Sequence, residues 1–219
     1  MAKILITSGP TRQYIDPVRY LTNASSGRMG CALASSAIRL GHQVTIVSGP
    51  VSVEYPKAAT VVNVVSTQEM LGAVQQLFPT HDGLIGAAAP CDYMPRRIQT
   101  EKISKDGHPM QLELIETPDV VATTAANKLE HQWVVGFALE TDDRRFRSIV
   151  KMQRKCCDLM VSNGPTAIDS EMNEVEILGA DGATLAHAVG SKCEVADSIL
   201  NWIQIQLLDK RTNAKKVGS

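Results

Sequence analysis

Aromatic residues are scarce in this chain, at 4% of its 219 positions. That is too few for a platform on which nucleic-acid bases stack. An excess of either charge is also missing: 22 lysines and arginines stand against 23 acids, a formal net charge of −1. No global basic field therefore points to nucleic acid or to a membrane surface. Nor is any apolar run long enough to span a bilayer. The segment Met1–Thr7 is too short for a signal peptide and reads as a first strand. The five cysteines are Cys31, Cys91, Cys156, Cys157 and Cys193. Their number is odd and they form no Cys-x-x-Cys pair, so neither a disulfide framework nor a zinc site is indicated. A reducing cytoplasm fits this usage, and each cysteine is expected to be a small buried or half-buried apolar residue.

What the chain does have is strand-length apolar runs alternating with helical patterns, the signature of a parallel sheet with crossover helices. Candidate strands are Ile4–Thr7, Val44–Val47, Thr60–Val64, Gly83–Ala87, Val134–Ala138 and Leu159–Val161. A helix from Gly27 to Leu40 stops at Gly41. A second opens at Ser66 with Glu69 as a capping box and runs to about Leu77. Thr117-Pro118-Asp119 opens a third, with Thr117 as N-cap and Pro118 in the first turn. A fourth spans Asp142 to about Cys156. Glu174–Leu178 and Ala183–Ala188 flank a Gly-Ala-Asp-Gly turn and read as a hairpin. A last helix covers Lys192–Leu208, before a polar tail from Asp209 to Ser219 that is expected to be disordered. One domain, residues 1–208, accounts for the length.

Three segments go beyond scaffold. The first is Thr7-Ser8-Gly9-Pro10-Thr11 followed, across a long loop, by Asn23-Ala24-Ser25-Ser26-Gly27-Arg28-Met29-Gly30. A strand, a loop and a glycine-opened helix place unpaired backbone N–H groups where an anion can sit. The second, Cys91 to Met110, is a polar stretch with the length of a flap. In the third, Arg144, Arg147, Lys151 and Lys155 are spaced by three, four and four and share one helix face. A solvated basic face accounts for that stripe by periodicity alone. The alternative is a row of cations facing a polyphosphate.

Ordered blocks along the chain carry a resemblance. They are Gly9-Pro10-Thr11, Ile15-Asp16-Pro17-Val18-Arg19, Asn23-x-Ser25-Ser26-Gly27-x-Met29-Gly30, Val44-Thr45 with Val47-x-Gly49-Pro50, and Ala88-Ala89-x-x-Asp92-Tyr93. Glu101-Lys102-Ile103, Thr117-Pro118-Asp119-Val120-Val121, Val135-Gly136-Phe137-Ala138-x-Glu140-Thr141 and Lys155-x-x-Asp158-Leu159 follow. From about Ile4 to Leu208 the chain resembles phosphopantothenoylcysteine synthetase, the synthetase domain of the DNA/pantothenate metabolism flavoprotein family. The resemblance implies a Rossmann-like, doubly wound, mostly parallel α/β sheet with a C-terminal β-hairpin. It implies a ligase that activates the carboxylate of 4′-phosphopantothenate with CTP and Mg²⁺ to an acyl-cytidylate. Cysteine then displaces CMP. Such chemistry needs no protein nucleophile, only cations and backbone donors around phosphates and tight positioning.

By matching position, Gly86, Ala87 and Ala88 would line the nucleotide pocket and Asp92 would contact the nucleotide. Pro118, Asp119, Val120 and Val121 would border it, and Phe137 would pack on it. Lys102 would be the flap lysine at the activated carboxylate, and Lys151 and Lys155 the triphosphate lysines. Asn23 would hold the acyl-cytidylate, beside a phosphate-binding turn of Ser25, Ser26, Gly27 and Met29. Arg19 is a candidate for a substrate phosphate. A homodimer is expected, with no nucleic-acid or membrane partner. The chain begins directly at this domain, so no decarboxylase and no flavin are expected.

The pattern also departs from the family. Lys102-Ile103-Ser104-Lys105 has one cation fewer than the usual Lys-x-Lys-Lys, Pro90-Cys91 replaces small residues before Asp92, and Ser162 stands where alanine is common. Three alternatives remain. Some family members use ATP. Ser104 admits a non-catalytic nucleotide-binding relative. A nicotinamide-dependent reductase is opposed by the missing Gly-x-Gly-x-x-Gly and by Ser48-Gly49-Pro50 where an acid would meet the ribose.

Overall fold

Alternation of apolar side chains along short strands decides the layers here. In a computed structural model, residues 1–139, 143–164 and 172–209 are described, the side chains of Arg144 and Met172 excepted. The elements in chain order are β1 (Lys3–Ser8), β2 (Arg12–Tyr14), β3 (Tyr20–Thr22), α1 (Arg28–Arg39), β4 (Gln43–Ser48), β5 (Thr60–Asn63), α2 (Thr67–Leu77) and β6 (Gly83–Gly86). Then come β7 (Tyr93–Pro95), β8 (Leu114–Glu116), α3 (Val120–Ala125), β9 (Trp133–Leu139), α4 (Arg144–Arg154), β10 (Leu159–Asn163), β11 (Met172–Gly179), β12 (Thr184–Ser191) and α5 (Lys192–Ile203).

An eight-stranded sheet runs in the order β12-β11-β10-β9-β6-β1-β4-β5. Its six strands from β5 to β10 are parallel, and β11 and β12 add an antiparallel hairpin on the β10 edge. The fold is thus the doubly wound, Rossmann-like α/β sheet with a C-terminal β-hairpin. Ile4 and Ile6 of β1 face one layer, buried with Leu33 and Ala37 of α1 and with Ile199 and Ile203 of α5. Leu5 faces the other, with Met70 and Val74 of α2, Val120 of α3 and Met152 of α4. Burying each such side chain contributes about 1.5–3 kcal/mol, so both faces of β1 hold the sheet between two helical layers. No helix of the described residues is long and apolar enough to cross a membrane.

Several expectations shift. β5 stops at Asn63 and β6 at Gly86, each a residue early, while β10 runs on to Asn163. α3 is capped by Asp119, not Thr117: the Asp119 carboxylate accepts the Ala122 N–H at 2.9 Å, and Pro118 lies outside the helix. At α2, Ser66 Oγ accepts the Glu69 N–H, but the Glu69 carboxylate takes the Val65 N–H rather than that of Ser66. The reciprocal capping box instead opens α5, between Ser191 and Glu194. The α-helical part of α5 ends at Ile203, and a π-helical turn, Gln204–Asp209, completes it. The loop after β1 carries the β2–β3 pair, and the polar stretch after Cys91 starts as β7 and returns as β8. Cys156 and Cys193 are exposed rather than buried. Asp142, Glu140 and Thr141 of the motif blocks, and the tail from 210, lie outside the described residues.

Candidate functional site

Strand order reverses between β1 and β6. The chain leaves β1 for β4 and β5 on one side and leaves β6 for β9 and β10 on the other. Crevices at such a switch point, beyond the carboxyl ends of the strands, are where open α/β sheets bind ligands. Two adjoining cavities, of about 290 and 410 Å³, open there. They share Ala88, Pro90, Asp92 and Phe137, so they form one groove.

The first cavity has Gly86 as its floor, Pro118 to Val121 as one wall, and Lys155 at its rim. Asp119 Oδ2 and Lys155 Nζ lie 3.0 Å apart. Burial pushes the Asp119 carboxyl up, but the Ala122 N–H and the Lys155 ammonium outweigh it and hold it below the usual carboxylate range. Gly86 is small for a reason beside any ligand: a Cβ there would stand 2.5 Å from Val121 Cγ2, so the glycine lets α3 close onto β6. Phe137 lines both cavities and also packs against the core.

The second cavity is walled by the turn Asn23 to Gly30, by Ala87 and Ala88, and by Lys151. Gly27 enters α1 at φ +75°, a left-handed conformation that suits glycine, and no side chain caps the helix. The first N–H groups of α1 therefore have no intrahelical partner at the wall of this cavity. A Cβ on Gly30 would stand 2.1 Å from Ser8 Oγ, so the helix start sits directly on the end of β1. Asn23 Nδ2 donates to Pro90 O at 2.9 Å, which places its amide between the α1 turn and the loop that carries Asp92.

Hydroxyls pin that loop. Thr11 Oγ1 accepts the Cys91 N–H at 2.8 Å, and Thr117 Oγ1 donates to Cys91 O at 2.5 Å. Asp92 is thereby presented to both cavities by backbone bonds to segments far apart in sequence. The Cys91 thiol is pushed up by burial, which leaves it a poor nucleophile despite its place in the groove.

Every site residue expected from the motifs lines this groove except Lys102 and Arg19. Lys102 is exposed on the loop 96–113 between β7 and β8 and lines neither cavity. The basic stripe divides: Lys151 faces the second cavity and Lys155 the first, while Arg147 lines neither. Lys155 is also the cap of α4 rather than part of its helical face. Arg19 is engaged by Asp16 at 2.7 Å and by Ile103 O at 3.2 Å rather than turned to the groove. Sequence reasoning missed Arg154 in the first cavity, and Asn163, Asn173 and Lys192 in the second. Lys192 Nζ donates to Asn173 Oδ1 at 3.0 Å, and Asn163 Oδ1 is buried with no hydrogen-bond partner among the described residues. The departure at Ser162 has a local reason: the hydroxyls of Ser148 and Ser162 are 2.8 Å apart, joining α4 to β10.

Residues 1–207 match the family model described as the DNA/pantothenate metabolism flavoprotein C-terminal domain. The chain belongs to this family. Family membership accounts for the order of the motif blocks that surround the groove. The coenzyme A biosynthesis bifunctional protein CoaBC of Vibrio vulnificus is 41% identical over 207 residues, 92% of this chain and 51% of that protein. The chain thus spans about half the length of the curated relatives it matches. A crystal structure of the C-terminal domain of CoaBC matches with a TM-score of 0.81 at 36% identity, covering 95% of this chain and 96% of that one. A Cab2 mutant, solved in complex with phosphopantothenate-cysteine, shares the fold at 15% identity and a TM-score of 0.78, covering 98% of this chain and 89% of that one.

Proposed function

We propose that this chain is a phosphopantothenate–cysteine ligase that uses CTP, in coenzyme A biosynthesis. The observation that carries this reading is the single groove in which the nucleotide-type wall and the Asn23 turn meet at Ala88 and Asp92. The phosphopantothenate-cysteine bound in the Cab2 structure of the same fold agrees with it. In the first step a carboxylate oxygen of 4′-phosphopantothenate bonds to the α-phosphorus of CTP, and the bond to pyrophosphate breaks. In the second the cysteine amine bonds to the acyl carbon, a proton is lost from nitrogen, and CMP leaves with the bonding electron pair.

The nucleoside is assigned to the first cavity, between Phe137 and the Pro118–Val121 wall. The phosphates are assigned to the junction, within reach of Lys151, Arg154 and Lys155. These cations and the open N–H groups of α1 supply preorganised positive charge where negative charge moves during the transfer. Asn23 is assigned to hold the acyl-cytidylate. Among the described residues no three His, Cys, Asp or Glu side chains gather as a metal cage. Mg²⁺ is held largely by substrate phosphates and water with one or two carboxylates, and Asp92, Glu116 and Asp119 line the first cavity, so the nucleotide is written as its Mg²⁺ complex. A homodimer is part of the proposal, supported by apolar side chains that β7, β8 and their loop leave exposed.

The test is product formation by mass spectrometry. Protein is incubated with 4′-phosphopantothenate, cysteine and Mg²⁺, with CTP and ATP in parallel. Phosphopantothenoylcysteine formed with CMP is the expected result. AMP with product would reassign the nucleotide. CTP binding without any acyl-cytidylate would leave a non-catalytic relative.

A further inference from the structure

The loop that carries Lys102 is not loose at its base. Asp16 is fully buried, and its two carboxylate oxygens do different work. Oδ1 accepts the N–H groups of Val18 and Arg19, both at 2.8 Å, which closes the turn 16–19. Oδ2 accepts the Ile103 N–H at 3.2 Å and the Arg19 guanidinium at 2.7 Å. The same guanidinium donates to Ile103 O at 3.2 Å from both of its terminal nitrogens. One residue, Ile103, therefore has both of its backbone groups held, by a carboxylate and by the arginine that the carboxylate orients. Gln99 N donates to Ile15 O at 2.9 Å, a second anchor on the same turn. Charge-assisted hydrogen bonds of this kind are the strong ones. Ile103 is the residue next to Lys102.

We propose that Asp16 and Arg19 are positioning residues: they clamp the backbone at Ile103 and so fix the point on the loop from which the Lys102 side chain can reach toward the groove. The clamp gives a lysine on an exposed loop a defined root, leaving only its own side chain to be ordered when substrate binds. That reduces the entropy lost on reaching the reacting carboxylate. The proposal rests on the ligase reading for its catalytic half, whereas the clamp itself is a structural statement with its own readout.

Asp16→Asn is the discriminating change. An asparagine can keep the Oδ1 bonds that close the turn. It then sets an NH₂ donor against two donors, Ile103 N–H and Arg19, so the flap half of the clamp fails while the turn half survives. The first measurement is limited trypsin digestion, following cleavage after Lys105 by mass spectrometry. Cleavage several-fold faster in Asp16→Asn than in the wild type is expected, because native-state proteolysis follows the open population. An unchanged rate would overturn the clamp. The second measurement is a cycle of single-turnover rates with Asp16→Asn, Lys102→Gln and the double variant. Misplacing a catalytic group costs about 10²-fold or less, and Asp16→Asn alone is expected to slow product formation within that range, with nucleotide Kd unchanged. The double variant is expected to be no slower than Lys102→Gln alone. Losses that multiply would overturn the positioning role. Should Asp16→Asn fail to fold, Ile103→Pro removes the clamped N–H from an exposed loop instead and is expected to give the same faster cleavage after Lys105. If the wild type formed no product, the ligase reading would fall, and the proteolysis would still decide the clamp.

Discussion

At the scale of single residues, Asn23 has the most to lose from a change of one atom. Its Nδ2 donates to Pro90 O and, more weakly, toward Ala89 O. An aspartate would face both carbonyls with acceptors only and add a negative charge beside the proposed phosphate site. Asn23→Asp is expected to keep CTP binding within a few-fold in calorimetry and to slow single-turnover product formation by about 10²-fold or more. Wild-type turnover would remove Asn23 from the site. The cysteines give an independent check on the packing. Burial pushes the Cys157 thiol up to about 12 and that of Cys91 upward too, while Cys156 and Cys193 are exposed. A thiol reagent is expected to modify Cys156 and Cys193 in the native protein, and Cys91 and Cys157 only after unfolding. Asn23, Asp92 and the Ser25–Gly27 turn were expected through the motif blocks that carry the family resemblance, and the structure brings them to one groove. Arg154, Asn163 and Lys192 were not expected. A charged or amide residue at an ordinary helix or strand end looks like solvent-facing decoration until the sheet brings it to the groove.

At the scale of elements, short hydrogen-bonded joints decide how the helices meet the sheet. Ser148 of α4 and Ser162 of β10 are both buried and share one bond. Removing either hydroxyl alone is expected to lower stability by about 1 kcal/mol, and removing both to cost less than the sum. Denaturant midpoints of the two single variants and the double variant check this. Two other joints depend on carboxylates, Asp119 at the start of α3 and Asp16 under the loop 96–113. Burial pushes the Asp16 carboxyl up, but three backbone N–H groups and Arg19 together hold it below the usual range, as Asp119 is held. A carboxyl depressed in the folded state stabilises it above the ordinary carboxylate pKa, and that stabilisation is lost as pH falls through the folded value. Stability is therefore expected to decline below about pH 4, with a shallower decline in Asp16→Asn. Equal acid slopes in the two proteins would contradict the assignment. The six parallel strands and α1 were legible because strand-length apolar runs alternate with helical patterns. β2, β3, β7 and β8 are three residues each, too short for any periodicity to report them.

At the scale of the whole molecule, alternating strands and helices announced the sheet but not its order. The switch point between β1 and β6 depends on strands that pair across a long sequence separation, Ile4 with Gly83, and no local pattern encodes that. The same limit applies to the surface. Tyr93, Ile98, Met110, Leu112, Leu114 and Ile115 are all exposed, on β7, β8 and the loop joining them. An apolar group of this kind on one small excursion is what a soluble chain normally covers. A second copy of the chain is the occupant the proposed homodimer supplies, covering β7, β8 and the ends of the loop that joins them and leaving the exposed Lys102 and Lys105 open. Sedimentation equilibrium is expected to give a dimer. Ile115→Lys puts an ammonium into the middle of β8 without touching either core cluster, so it is expected to yield a folded monomer with unchanged circular dichroism. If that monomer turned over as fast as the dimer, the loop would work without its partner. If the wild type sedimented as a monomer at micromolar concentration, these six side chains would need another reason to be apolar.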